Sequence, residues 1–420
     1  MHSPLRFPMN TPVTVPASAL RLLAAAPHRL LFFVGAANIL FAMGWWTAWL
    51  VGARWQLLEI PQSAVPAGWM HAIVMQYQVL PSFMFGFLLT VFPRWMNLPA
   101  LTQWSYVPVG AGLFGGQALT LAAMIGGLPL LKVGALFTIA GWSIGTLILG
   151  NLVRLEAGRT WHAVSCLFAL GFGLLGLMLY ALFLFQLDGR LMFAAIKIGG
   201  VALLLPIFFT VCHRMIPFFT GSVIAGYRTV RPLWVLTLFW AAILIHTGLE
   251  LRHGYAWLWL ADLPVTVLTA WLLWTWWPRV PAGQSMSPLL RVLFLGFAWL
   301  PIAFALYTAQ SLRYALTGEF VLGRGPAHAL FIGFFSSLLV AMVTRVTQGH
   351  SGRPLVLGRV GGFAFIVVQL VAVLRVVAEM MPDALAWQAL AALGWMAAFL
   401  PWVLRSGWIY LTPRADGNAG

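Results

Sequence analysis

The sequence predicts an all-α fold, a polytopic membrane bundle of about twelve transmembrane helices. Three observations carry that expectation. Of 420 residues, 61% are apolar and only 8% are charged, whereas a soluble domain is about half apolar and a quarter charged. The apolar residues fall in long runs, not in the short alternating segments of a membrane barrel. Each crossing needs roughly 20 residues plus a short loop, so the length allows about 12 to 14 crossings.

Twelve apolar segments follow in order, with boundaries good to about 2–4 residues. Span 1 (30–51) lies between Arg29 and Arg54, and span 2 (69–93) closes on Arg94. Span 3 (104–126) holds Gly110, Gly112, Gly115 and Gly116, which suit close helix packing. Span 4 (130–152) opens beside Lys132 and is followed by Arg154 and Arg159. Span 5 (161–185) carries Gly171, Gly173 and Gly176, a second small-residue face. Span 6 (191–218) contains Lys197 and closes on Arg214 and Pro217. Span 7 (233–250) runs from Arg231 to Arg252, and span 8 (255–277) holds Asp262 and stops before Arg279. Span 9 (289–311) holds Arg291 near its start and is followed by Arg313, and span 10 (327–347) lies between Arg324 and Arg353. Span 11 (358–379) ends with Arg375 and Glu379 at i, i+4, a local helix pair. Span 12 (385–411) is closed by Arg405 and Arg414. The longest loops are those around 52–68 and 312–326, so no soluble domain is inserted. The domain reading is a tail at 1–29, one transmembrane domain at 30–411 and a tail at 412–420.

Charge gives the sidedness. The net charge is +15, but the basic residues are scattered singly between apolar runs. They form no soluble basic face, so no nucleic-acid partner is expected. One side of the twelve-span map carries 16 basic residues, the other 6, and Lys197 and Arg375 lie within spans. The positive-inside rule then places both termini in the cytoplasm of a cell inner membrane. The lipid bilayer is the first expected partner. Cys166 and Cys212 both fall in apolar runs and imply no disulfide framework.

A weak repeat divides the chain into three four-span units. Spans 2, 6 and 10 each end with an apolar pair and then Arg five residues on, at Arg94, Arg214 and Arg345. These arginines, with His350 and Arg353, are expected to gather near the cytoplasmic face and suit an anionic headgroup or partner.

Ionisable groups inside spans are the site candidates, because they are costly in a bilayer. His71 opens span 2 and His328 opens span 10, both near the outer face. Two such imidazoles can hold a b-type haem, one on each side of the iron. Arg324, one turn before His328, is placed to meet a propionate. His246 in span 7 is the reserve ligand. The bland alternative is two interfacial histidines facing water or a headgroup. Lys197 and Asp262 are depth-matched and read as a direct ion pair; Asp262 is the clear buried acid. The adjacent Cys212 and His213 offer metal-ligand types, although neighbours on a helix diverge by about 100°. No soluble catalytic motif is legible, and no catalytic residue is assigned.

The closing stretches resemble the NnrS family: GFLLTVFPRW at 86–95, RMIPFFTG at 214–221, and HAL at 328–330 followed by TRVTQGHSGRP at 344–354. That family comprises polytopic bacterial membrane proteins linked to the nitric oxide response and described as containing haem and copper. The resemblance implies a membrane haem protein acting as sensor, scavenger or electron-transfer protein, with nitric oxide or a redox partner. The family pattern has His-Ala-His-Glu where this chain reads His71-Ala72-Ile73-Val74. A copper site using both histidines therefore lacks two of its groups, while a haem held through His71 remains. Twelve spans in three units also look like the main subunit of haem-copper oxidases, where spans 2 and 10 share a low-spin haem. The competing readings are a secondary transporter and a non-catalytic membrane scaffold.

Overall fold

The computed structural model describes residues 18–57, 59–61, 64–280 and 285–417. His2 and Arg6 of the expected N-terminal tail lie outside the described residues. Among those described, eleven helices are long and apolar enough to cross a membrane. The longest, Gln103–Leu155, is two helices joined at Gly127, whose φ of 74° and ψ of −169° are not helical. Residues on either side face each other in antiparallel register. A Cβ on Gly112 would lie 2.5 Å from Gly141 Cα, and one on Gly134 would lie 3.0 Å from the Gly116 carbonyl. The chain therefore makes the twelve passes that the sequence predicts.

In order they are α1 (Pro27–Trp55), α2 (Ala67–Trp95), α3 (103–126), α4 (128–155), α5 (Trp161–Gln186) and α6 (Gly189–Gly221). Then come α7 (Trp234–Leu251), α8 (Tyr255–Trp276), α9 (Pro288–Thr317), α10 (Gly325–His350), α11 (Gly358–Met380) and α12 (Ala384–Tyr410). The expected tail already contains structure: Ala19–Leu23 is a short helix, and α1 starts at Pro27. Proline suits that first helical position, because its missing N–H has no acceptor there. The two ends of the bundle's chain meet, since Arg29 donates to the carbonyl of Tyr410 (2.9 Å) and to that of Thr412. The start of α1 and the end of α12 thus lie at one face, as an even number of passes requires.

The helices form a closed arrangement, with α12 packed against α1. Three helices occupy its centre. Of their apolar stretches, 89% is buried in α2, 67% in α6 and 72% in α10, against 56% or less elsewhere. The outer helices turn Phe41, Leu147, Phe185 and Ile366 outward. Such a surface suits a hydrocarbon solvent, and with the long apolar helices it makes this a multi-pass membrane protein.

The same three central helices each contain a π-helical stretch: Met75–Val79 in α2, Ile198–Leu204 in α6 and Ala329–Ser336 in α10. They recur in the second helix of each four-helix unit, which supports the threefold repeat. A π-helical stretch leaves backbone groups to be satisfied from outside the usual ladder. In α2, Pro81 has no N–H, and the Tyr77 carbonyl accepts instead from the Trp142 indole (2.8 Å). In α10 the Ser336 hydroxyl donates to the Phe331 carbonyl (3.2 Å). His71, Lys197 and His328 all lie on the N-terminal side of these stretches, at the end of the bundle away from the termini.

Candidate functional site

Between the N-terminal halves of α2, α6 and α10 lies a cavity of 660 Å³. Helices α1, α7, α9, α11 and α12 complete its wall. Its lining is largely apolar, from residues such as Met43, Leu80, Phe193, Phe331 and Trp395. Into that lining project His71, His328, Lys197, Glu250, Arg324 and Arg375.

His71 and His328 therefore share one cavity, approaching it from different helices. The His71 ring lies flat against Trp46 of α1, with centroids 4.5 Å apart and planes 10° apart. Trp46 in turn stacks on Trp49 at 5.2 Å. These flat contacts hold the imidazole against rotation, while its Nδ1 is buried without a hydrogen-bond partner. His328 is oriented differently. Its Nδ1 is 2.9 Å from the carbonyl of Arg324, one turn earlier. A Nδ1–H donated there leaves Nε2 as the coordinating nitrogen, the common arrangement of a metal-bound histidine. Two imidazoles thus border one cavity, the His71 Nδ1 without a protein partner and the His328 Nδ1 engaged by a backbone carbonyl.

The cations on the wall are arranged for carboxylates. Arg375 bonds Glu379 (2.5 Å), one turn further along α11, as the sequence spacing predicts. Glu379 also accepts from the backbone N–H of Arg324 (3.3 Å). That contact fixes the position from which the exposed Arg324 side chain reaches the cavity rim.

Two expectations are corrected. Lys197 and Asp262 do not pair directly. Lys197 Nζ is 2.6 Å from Glu250 Oε1, and Asp262 Oδ1 is 2.6 Å from His246 Nδ1. His246 Nε2 lies 3.5 Å from Glu250 Oε2, so Glu250 and His246 stand between the two predicted partners. His246 is also not a reserve ligand. Both of its nitrogens face carboxylates, and it does not line the cavity. Glu250 is the buried acid that sequence reasoning missed. Its spacing of i+4 from His246 on one helix was the available signal.

At the other end, the repeat arginines form a chain of contacts around the central helices. Arg214 of α6 lies over Trp95 of α2 (4.6 Å), and Arg345 of α10 lies over Phe219 of α6 (4.0 Å). Arg94 of α2 lies 3.5 Å from His350 of α10. Of the arginines expected to gather with His350, Arg94 meets it directly. Arg214 and Arg345 each cover an aromatic ring, a contact of about 0.5–1 kcal/mol where exposed and more where desolvated. Arg353 sits further out, over Trp408 of α12 (5.3 Å). Two histidine contacts here were not anticipated: His162 Nε2 to His213 Nδ1 at 3.0 Å, and His28 against His350 with centroids 4.2 Å apart. Cys212 lines a small apolar space between the central helices, whereas His213 turns to His162. The two adjacent residues do not converge as a chelate.

Among the described residues, no group of three or more His, Cys, Asp or Glu side chains is placed to hold a metal ion. The family model for the NnrS protein matches residues 22–414. No match was found among curated proteins.

Proposed function

We propose, from the premise that this chain belongs to the NnrS protein family, that it is an inner-membrane protein of the nitric oxide response that holds a b-type haem. The observation that carries this reading is that His71 and His328 enter one 660 Å³ cavity from different helices. His71 and His328 would hold the group, and the exposed Arg324 at the cavity rim would meet a propionate. Bound there, the group supplies one-electron chemistry. The role of such a protein would be that of sensor, scavenger or electron-transfer protein.

The protein's own part is to hold and shield. Trp46 keeps the His71 ring in one plane, and the Arg324 carbonyl keeps the His328 tautomer. The largely apolar wall lowers the local dielectric and so strengthens each charged contact beside it. Copper is not part of the proposal, because Ile73 and Val74 replace the second histidine and the glutamate of the family pattern. The 16:6 distribution of basic residues supports cytoplasmic termini, with the cavity near the outer face.

Reduced-minus-oxidised spectra of the purified protein test the assignment. The parent should show a low-spin haem, and His71→Ala and His328→Ala should each lose or convert that signal. A parent without the signal, or two variants that keep it unaltered, would overturn the proposal.

A further inference from the structure

Four ionisable side chains form an unbroken line away from the cavity. Lys197 stands at its wall with 28% of its side chain exposed, while Glu250, His246 and Asp262 are at most 4% exposed. The steps between them measure 2.6, 3.5 and 2.6 Å. They come from α6, α7 and α8. Two further titratable groups face the line: Tyr307 of α9, whose ring meets His246 edge-on at 5.3 Å, and Tyr255 at the start of α8, within electrostatic reach of Glu250. Tyr307 also lines the cavity.

We propose that Lys197, Glu250, His246 and Asp262 are a proton-loading site that exchanges one proton with the cavity. The geometry of His246 carries the inference. Its Nδ1 is satisfied by Asp262, but its Nε2 and the facing Glu250 Oε2 are both buried and without hydrogen-bond partners. With a neutral imidazole, two acceptors face each other across 3.5 Å. A single proton on Nε2 gives both a partner. Its presence also decides the charge. One ammonium and two carboxylates leave the neutral form at net −1, and the imidazolium form is balanced.

The transfer is conservative. A Lys197 ammonium proton passes to Glu250 Oε1, Glu250 gives a proton from Oε2 to His246 Nε2, and cavity water re-protonates the amine, its hydroxide leaving to the bulk solvent. No electron moves, and the network gains one positive charge. Because Lys197 is the accessible member, charge in the cavity and charge on the network are coupled through it. An anion entering beside Lys197 draws a proton in, and a cation expels one. The inference does not depend on which group occupies the cavity.

Protein with 15N-labelled histidine, reconstituted in nanodiscs, supplies the test by NMR. The His246 resonance is assigned by its loss in His246→Gln. Expected is a reversible change of Nε2 protonation between about pH 5 and about pH 10, moved to lower pH in Glu250→Gln. A His246 resonance constant over that range in the unmodified protein would show a static ion quartet and overturn the proposal. Lys197→Arg keeps the ion pair but holds its proton. After a pH jump followed by time-resolved infrared spectroscopy, this variant should load His246 at least about tenfold more slowly, to the same final extent. An unchanged rate would remove Lys197 from the path and with it the link to the cavity.

Discussion

At Lys197 one ammonium group neutralises a carboxylate that the fold buries almost completely. Lys197→Met would leave Glu250 without its cation, and breaking such a pair costs about 3–5 kcal/mol. Exchanging the charges, Lys197→Glu with Glu250→Lys, should recover part of that loss in reversible unfolding from detergent. Exchange with Asp262 should not, since Asp262 faces His246. A milder case lies in the loop before α12. Arg54 donates to Asp383 at 2.8 and 3.0 Å, and Asp383 caps α12 by accepting from the Ala386 N–H. The Arg54 hydrogen bonds hold the Asp383 carboxyl below the usual carboxylate range. Its stabilising contribution is therefore complete above the unfolded value of about 3.9 and fades as pH falls through the lower folded value. Asp383→Ala should lower the melting temperature slightly at neutral pH, and the difference should vanish in strong acid.

The α3–α4 hairpin is an element built on absent side chains. Gly112 and Gly141 let two backbones touch, and Gly127 makes the turn with a φ of 74°. Gly112→Val should force the helices apart, at a cost of about 1–3 kcal/mol for overpacking. Gly127→Ala puts a Cβ in the left-handed region and should cost about 1–2 kcal/mol. Unfolding in detergent measures both, and a neutral Gly112→Val would show that the two helices do not meet as described. The π-helical stretches of α2, α6 and α10 operate at the same scale. They interrupt the ladder just inside His71, Lys197 and His328, where functional helices commonly carry such bulges.

Over the whole molecule, twelve passes with the start of α1 and the end of α12 at one face set the positions of every site. Reporter fusions after Ile60 and Phe320 should report the outer side, and fusions after Arg159 and Arg279 the cytoplasm. Cytoplasmic activity at Ile60 and Phe320 would invert the bundle and put the cavity on the inner face. The like direction of α2, α6 and α10, four passes apart, also bears on function. Transporters built from inverted repeats would relate these helices by opposite directions.

Composition and run length determined the membrane bundle, since apolar stretches of this length have only one stable solvent. They also located the twelve helices, the Arg375–Glu379 pair and the His71 and His328 positions, because helical spacing and depth are properties of the local sequence. Gly127 was legible only as part of a short loop, and the continuous helical run that it interrupts belongs to the folded chain. Which charges meet was a different matter. Lys197 and Asp262 match in depth, yet Lys197 bonds Glu250 and Asp262 bonds His246. Depth along a helix is set by sequence, but rotation about its axis is set by packing against neighbours. For the same reason only the tertiary structure decided that Arg214 and Arg345 rest on aromatic rings while Arg94 meets His350, and that His246 belongs to a buried line of ionisable groups and not to the cavity.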